Sequence, residues 1–571
     1  MKPPVDERPP LRLWPGVLLV AIQWLLRFVV PVLSPDAGLV GVLGGLLLGI
    51  VVALWWLTFS RASLVEKLAG VVLMAGSVVA VRPFLHESVA SIGQGILFFT
   101  YAVPAVCLAL VLWAALTRSW TGPVRLVSLA VALLLGAGSF LFLRTEGITG
   151  TNTSQFAWRW SKSSEERFLA EAADDRLRSV APAAEGVEAQ WPGFRGPYRD
   201  SRVPGVALST DWDAAPPKEV WRQSIGPGWS SFAVRGQLFY TQEQRGEEEV
   251  VSAYELGTGE PVWRHADGVR FWEAMAGAGP RATPTVLDDR IFAQGATGLI
   301  NVLDADSGEL VWSRDVSADA EVAIPGWGFA ASPLVMAETV YTAAAGRLVA
   351  YDRATGDLLW QGETGTGYSS PQLMSFDGSP QLVMLSSTGA SGHDPSDGKL
   401  LWNNDWSGEP IVQPAQAPNG DLLWGTVSTT GGAGLRRLAI ERSGDGWQAS
   451  ERWTTNRLKP YFNDFVLHEG NAYGFDGSIM ACIDLEEGKR QWKGGRYGNG
   501  QLLLLPDQDL LLVITEEGEL KLVEAKPDGF NEVASAPAIE GKTWNHPVLV
   551  GDLLLVRNAE EMAAFRLPTG S

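Results

Sequence analysis

The sequence predicts an all-β eight-bladed propeller preceded by an α-helical transmembrane domain of about five helices. Three observations carry this. Five apolar runs fill the first 145 residues. An eleven-residue pattern then returns five times: AYELGTGEPVW, VLDADSGELVW, AYDRATGDLLW, GHDPSDGKLLW and CIDLEEGKRQW, ending at Trp263, Trp312, Trp360, Trp402 and Trp492. In every copy an acid stands eight residues before the Trp and a Gly four before it. Eight short strand starts interleave with these copies. The implied organisation is a helical domain over 1–145, a connector with a short helix over 146–190, and the propeller over 191–571.

The 571 residues carry a net charge of −19. Residues 1–150 hold ten Lys/Arg against six Asp/Glu, a net +4, which leaves −23 for the remainder. So acidic a soluble part argues against a sequence-independent nucleic-acid binder, which needs a basic surface to displace counterions. The two cysteines, Cys107 and Cys482, are too few and too far apart to read as a disulfide framework.

The apolar runs give spans at 11–33, 37–59, 68–85, 92–116 and 126–143, against the roughly 20 helical residues a bilayer core requires. Lys2, Arg8, Arg12, Arg61, Lys67, Arg118 and Arg125 flank one set of span ends, and only Arg82 and Arg144 flank the other. The positive-inside bias then puts the N-terminus in the cytoplasm and everything after the fifth span outside, in the periplasm of a Gram-negative cell. Arg27 lies inside the first span, where it either snorkels to the interface or pairs within the bundle.

In the connector, Ser163 and Glu166 have capping-box spacing, predicting a short helix that runs to about Val180. APAAEGVEAQ reads as a flexible lead-in. WPGFRGPYRDSRVPG, 191–205, is rich in Pro, Gly and Arg and reads as an ordered strap docked on the domain that follows.

From Lys218 onward, strands and Gly turns recur with a period of about 40–50 residues, which signals a propeller. Each eleven-residue copy is the outer hairpin of a blade. Its acid can accept hydrogen bonds from turn amides, its Gly supplies positive φ, and its Trp wedges between blades. SSFAV, ATPTV, ASPLV, SSPQL, VQPAQ, FNDFV, GQLLL and HPVLV start eight inner strands. The eighth blade lacks its own outer strand, while EVW, ending at Trp221, has no blade of its own. That segment is expected to complete blade eight and close the ring, removing exposed sheet edges.

These hairpins resemble the pyrroloquinoline-quinone (PQQ) repeat superfamily of eight-bladed propellers. It contains quinoprotein dehydrogenases and also the non-enzymatic BamB-like lipoproteins of outer-membrane-protein assembly. The resemblance covers about residues 190–571. The helices ahead of the propeller are further similar to those of membrane-bound quinoprotein glucose dehydrogenase, whose anchor delivers electrons to ubiquinone. For an enzyme the resemblance implies PQQ stacked on a Trp at one channel mouth, with calcium and an Asp base. The chain has no Cys-Cys pair, its propeller is short for the family's enzymes, and the family's calcium-binding set does not map onto it residue by residue.

Polar residues precede the inner strands: Ser231, Thr283, Ser332, Ser370, Gln413, Asn463 and His546, with Trp229, Arg281, Trp327, Tyr368, Tyr461, Asp464, Trp544 and Asn545 beside them. If the inner strands line the axis, these converge at one mouth and present aromatic faces, a guanidinium, a carboxylate and an imidazole to a flat anionic or polar ligand or to a peptide. Asp464 is the candidate base for an enzymatic reading. The alternative use of the polar groups is to bind channel water. The five histidines have no metal-ligand spacing, so no metal site is expected, and P-loop, G-x-S-x-G and His-Glu-x-x-His motifs are absent. The expected function is binding or scaffolding among cell-envelope proteins without a cofactor. The alternative is a PQQ- and calcium-dependent dehydrogenase, oxidising an alcohol or sugar and feeding membrane quinone. A ligand sensor is a third reading, weakened by the lack of a cytoplasmic output domain.

Overall fold

The computed structural model describes residues 11–34, 37–120, 122–149, 154–172, 177–180, 186–363, 365–428 and 431–570. Lys2 and Arg8, which entered the charge count, lie outside them, as does 181–185 of the expected lead-in. The chain forms two compact units, 1–162 with 273–277, and 163–272 with 278–571.

The first unit contains five helices long and apolar enough to cross a membrane: Trp14–Leu33, Gly38–Thr58, Leu64–Phe84, Ile96–Leu116 and Gly122–Phe142. The third and fifth begin four residues earlier than the apolar runs, because charges at their starts neutralise one another. Ser63 and Glu66 form a reciprocal capping box, with Ser63 N donating to Glu66 Oε2 at 3.0 Å and Glu66 N donating to Ser63 Oγ at 3.3 Å. Glu66 also pairs with Arg125 at 3.2 Å, and that guanidinium lies 5.2 Å from the Trp113 ring centre. The fourth helix begins at Ile96 rather than 92, following a 3₁₀ segment that ends at Gly95 with φ +88°. Arg27 pairs within the bundle. It sits on a π-helical turn, Leu25–Val29, donates to Thr100 O at 3.3 Å and lies 4.1 Å over the Tyr101 ring. After the fifth helix, Leu143–Ile148 and Ser154–Trp158 pair as an antiparallel hairpin that periodicity had not indicated.

The second unit opens with the helix Ser164–Glu171, whose capping box is complete. It is shorter than expected, and 177–180 are not helical. Eight four-stranded antiparallel sheets follow. In chain order, blades one to seven cover 233–267, 285–315, 334–361, 372–405, 415–455, 466–496 and 501–537. Blade eight combines 548–566 with the upstream strand Lys218–Ser224, which pairs antiparallel with Glu561–Arg566 and closes the ring as expected. Across that seam the buried Arg557 of blade eight donates to Thr241 Oγ1 at 2.7 Å and Gln242 O at 3.0 Å on blade one.

The structure explains the strict spacing of the outer hairpins. Asp304 Oδ1 accepts from the amides of Asp306 and Ser307 at 3.2 and 3.0 Å, and Asp352 Oδ1 does the same for Ala354 and Thr355. The Trp serves the following blade. Trp263 Nε1 donates to Ala305 O at 3.0 Å, Trp312 Nε1 to Arg353 O at 2.9 Å, and Trp221 Nε1 to Leu256 O at 2.9 Å. The next blade's Gly receives the indole. A Cβ on Gly308 would stand 2.5 Å from Trp263, and one on Gly356 2.7 Å from Trp312. Acid, Gly and Trp are therefore one inter-blade latch. Trp402 departs from it by bonding Gln381 of its own blade. Between blades the core is apolar: Tyr240, Val251 and Trp263 of blade one pack with Val286, Ile291 and Leu303 of blade two.

Candidate functional site

Three layers lie along the inner strands, in sequence order. Residues before each strand form an aromatic collar, residues at its start form a polar belt, and residues further along meet the strap. Belt and strap account for much of what the sequence assigned to one mouth.

The belt links neighbouring blades. Ser231 N donates to Thr283 Oγ1 at 2.9 Å, Thr283 N to Ser332 Oγ at 3.0 Å, Ser332 N to Ser370 Oγ at 2.9 Å, Ser370 N to Gln413 Oε1 at 3.0 Å, and Gln413 N to Asp464 Oδ1 at 2.7 Å. Each belt side chain thus satisfies a buried amide that no ladder reaches. On blade six the acceptor is Asp464, not the aligned Asn463, whose Oδ1 instead accepts from Tyr461 N at 3.1 Å. Ser231 Oγ donates to His546 O, and Asn545 Nδ2 donates to Ser230 O at 2.8 Å, joining blades one and eight. Ser231, Gln413, Asn463, Asp464, Asn545 and His546 are all buried.

The strap, 191–205, bonds to six of the eight blades. Trp191 bridges Val234, and Pro192 O accepts from Val286 N. Arg199 donates to Ser332 O and Pro333 O at 3.0 and 2.9 Å, and Arg202 to Leu467 O at 2.7 Å. Val203 N and Ser201 O bond Leu504. Arg195 Nε lies 3.5 Å from Asp464 Oδ2 and donates to Ser201 Oγ at 2.8 Å, which lies 3.0 Å from His546 Nε2. Arg195, Arg199 and Ser201 hold φ of 64°, 56° and 62°, a left-handed backbone that non-glycine residues adopt only when surrounding contacts impose it. Burial holds the Asp464 carboxyl above its ordinary range, opposed by Arg195 and the Gln413 amide. Burial, and then the Arg195 charge, push His546 down to about 3, so this imidazole is neutral.

The collar is half-buried. The rings of Trp229 and Trp544 are 4.9 Å apart, Trp544 and Phe462 4.8 Å, Phe462 and Tyr461 5.1 Å, and Trp327 and Tyr368 5.0 Å. Lys542 Nζ sits 4.4 Å from the Trp544 ring centre and 5.2 Å from that of Trp229. Arg281 donates to Trp327 O at 3.2 Å and lies over Phe271 at 5.0 Å. Trp229, Arg281, Trp327, Tyr368, Tyr461 and Trp544 are thus half-buried collar residues, whereas the six buried groups above are belt and seam. Lys542 was not anticipated, although it stands only two residues from Trp544. The strap arginines were missed as partners because most of their partners, backbone carbonyls and Asp464, lie more than a hundred residues away in the chain.

A family profile described as outer membrane protein assembly factor BamB matches residues 247–529. Over that stretch the propeller is similar to the PQQ-repeat, BamB-like superfamily. The chain is 28% identical over 388 residues to the outer membrane protein assembly factor BamB of Shewanella oneidensis, covering 62% of this chain and 89% of that protein. It is 24% identical over 316 residues to the dehydrogenase subunit of a quinone alcohol dehydrogenase from Gluconacetobacter polyoxogenes, covering 47% of this chain and 40% of that protein. The chain therefore spans two-fifths of the length of that dehydrogenase relative. Among solved structures, a quinohemoprotein alcohol dehydrogenase from Pseudomonas putida HK5 aligns with TM-score 0.48 and 12% identity, covering 67% of this chain and 80% of that one.

Proposed function

We propose that this is a bacterial inner-membrane protein with its N-terminus in the cytoplasm and its propeller in the periplasm, acting as a binding and scaffolding module for other envelope proteins. The flanking charges described above support the orientation. One observation carries the function. The groups that could have moved protons, Asp464 and His546, are held by the belt and strap, while the collar offers aromatic faces with Lys542 and Arg281. Such a surface stacks and attracts; it suits an extended partner segment carrying aromatic or acidic side chains. The BamB relative supports a role with protein partners in the envelope.

The second reading, a PQQ-dependent dehydrogenase passing electrons to quinone, draws on the alcohol dehydrogenase relatives and on the Trp229–Trp544–Lys542 group, which suits a planar anion. Asp464 does not fit its part in that reading. One carboxylate oxygen accepts from Gln413 N, the other faces Arg195, and the group is buried in the belt. No base or calcium ligand is derived from it.

The deciding experiment titrates the full chain in detergent with PQQ and calcium, following Trp fluorescence, in wild type and Trp544→Ala. Unchanged fluorescence at high micromolar PQQ is the expected result. Saturable quenching lost in Trp544→Ala, with cofactor-dependent alcohol oxidation, would sink the scaffold reading.

A further inference from the structure

At one end of the helical unit, a cavity of about 740 Å³ lies between the ends of the third and fifth helices, lined by Phe84, Leu85, Leu141, Phe142, Arg159 and Trp160. Both helix ends emerge on the same side, since both belong to odd-numbered spans. The cavity therefore sits at membrane–interface depth. Its walls are large, exposed apolar side chains: Phe84 is 69% exposed, Phe142 55% and Trp160 69%. The hairpin after the fifth helix supplies the remaining wall. Arg159 N bonds Phe142 O at 2.9 Å, tying the hairpin's end to the helix end. Trp160 stacks on Trp158 at 5.1 Å and 12°, and meets Phe142 edge-on at 6.2 Å.

Arg159 is the polar element of this lining. Its guanidinium makes one long bond, to Leu141 O at 3.5 Å, and no ion pair among the described residues. By contrast Arg144 is neutralised by Glu146 at 2.9 Å. The Arg159 charge is felt nearby: burial first, then Arg159 and Arg144, hold the His86 imidazole below its ordinary range, against the opposing charge of Glu87. An exposed aromatic wall beside an unpaired guanidinium, at the depth where acyl chains give way to headgroups, is complementary to an amphiphile with a phosphate at its neck.

We propose that this cavity is a phospholipid site, with the lipid phosphate on Arg159, the glycerol region against Trp160, and one acyl chain along Phe84 and Phe142. The phosphate carries the recognition, so phosphatidylglycerol and phosphatidylethanolamine both bind. A guanidinium serves better than an ammonium here because its planar fork can engage two phosphate oxygens.

The test uses the full chain, delipidated in detergent, with lipid retention read by native mass spectrometry. Dioleoylphosphatidylglycerol and dioleoylphosphatidylethanolamine are compared with dioleoylglycerol, which has the chains but no phosphate. The expected result is one retained phospholipid, no retained dioleoylglycerol, and at least tenfold weaker retention in Arg159→Gln. Trp160→Leu, which gives up the ring contacts with Trp158 and Phe142 at an exposed position, weakens retention severalfold while the chain stays folded by circular dichroism. Equal retention of dioleoylglycerol, or undiminished phospholipid retention in both variants, would show a general aromatic belt and overturn the proposal.

Discussion

The inter-blade latch makes a sharp quantitative prediction, because two glycines share a backbone conformation but not an environment. Gly308 and Gly470 both hold φ +75°. A Cβ on Gly308 would meet Trp263 at 2.5 Å, whereas a Cβ on Gly470 would have no heavy atom within 4 Å. Substituting Ala at either site incurs the left-handed backbone penalty, about 1–2 kcal/mol, partly offset by about 0.4–1 kcal/mol from the stiffer unfolded chain. Only Gly308→Ala also displaces an indole from a packed seam, which costs about 1–3 kcal/mol. Gly470→Ala should thus cost about 1 kcal/mol and Gly308→Ala about 2–4 kcal/mol. The assay is urea unfolding of the full chain in detergent, together with hydrogen exchange of the 304–308 turn, where Gly308 N bonds Asp304 O at 2.9 Å. In Gly308→Ala that turn should lose protection, and adding Trp263→Leu should relieve part of the penalty. Equal losses for the two glycines, or strict additivity in the double variant, would refute the latch.

Other outcomes follow from belt, strap and seam. His546 is held near 3 against an ordinary 6.5, so its neutral form stabilises the fold fully above about pH 6.5. That contribution is lost as pH falls toward 3, at about 1.4 kcal/mol per unit and about 4–5 kcal/mol in all; unfolding midpoints between pH 7 and 4 should fall less steeply in His546→Gln. Asp464→Ala strands the buried Arg195 charge and should cost about 3–5 kcal/mol. Asp464→Asn, which can still accept from Gln413 N, should cost about 1–2 kcal/mol less, a ranking that thermal shift checks directly. Trp221→Ala removes the closing strand's latch to Leu256 and its stack on Phe239 at 5.5 Å, a loss of about 3–5 kcal/mol readable in urea midpoints.

How far the sequence reaches depends on whether the partner of a residue lies nearby in the chain. Blade count and ring closure were legible because each hairpin repeats its acid, Gly and Trp locally, and because EVW was left over where blade eight lacked a strand. The collar aromatics were legible in part for the same reason: Trp229, Tyr368 and Trp544 each stand four residues before an inner strand, whereas Trp327 stands seven before one. The role of Asp464 was not, since its partner Arg195 lies upstream of every blade and reaches it through a strap whose non-glycine residues hold positive φ. Nor were the early starts of the third and fifth helices, because Glu66 and Arg125 read as loop charges until the bundle pairs them. Arg27 was recognised as out of place, but only geometry separated pairing with Thr100 and Tyr101 from snorkelling.

The closing strand also has a consequence in time. Arg222 and Glu561, bonded to each other across the seam, are 339 residues apart in the chain. During synthesis the ring stays open until 561–566 has emerged, with 218–224 waiting as a bare edge while seven blades form beside it. Two chains completing their rings side by side would each offer the other a free 218–224 strand. Exchange of 218–224 between them would yield a swapped dimer held by the same contacts that close the monomer. The concentration of unfinished chains at the membrane, rather than the strength of the seam, then sets how often rings close on themselves.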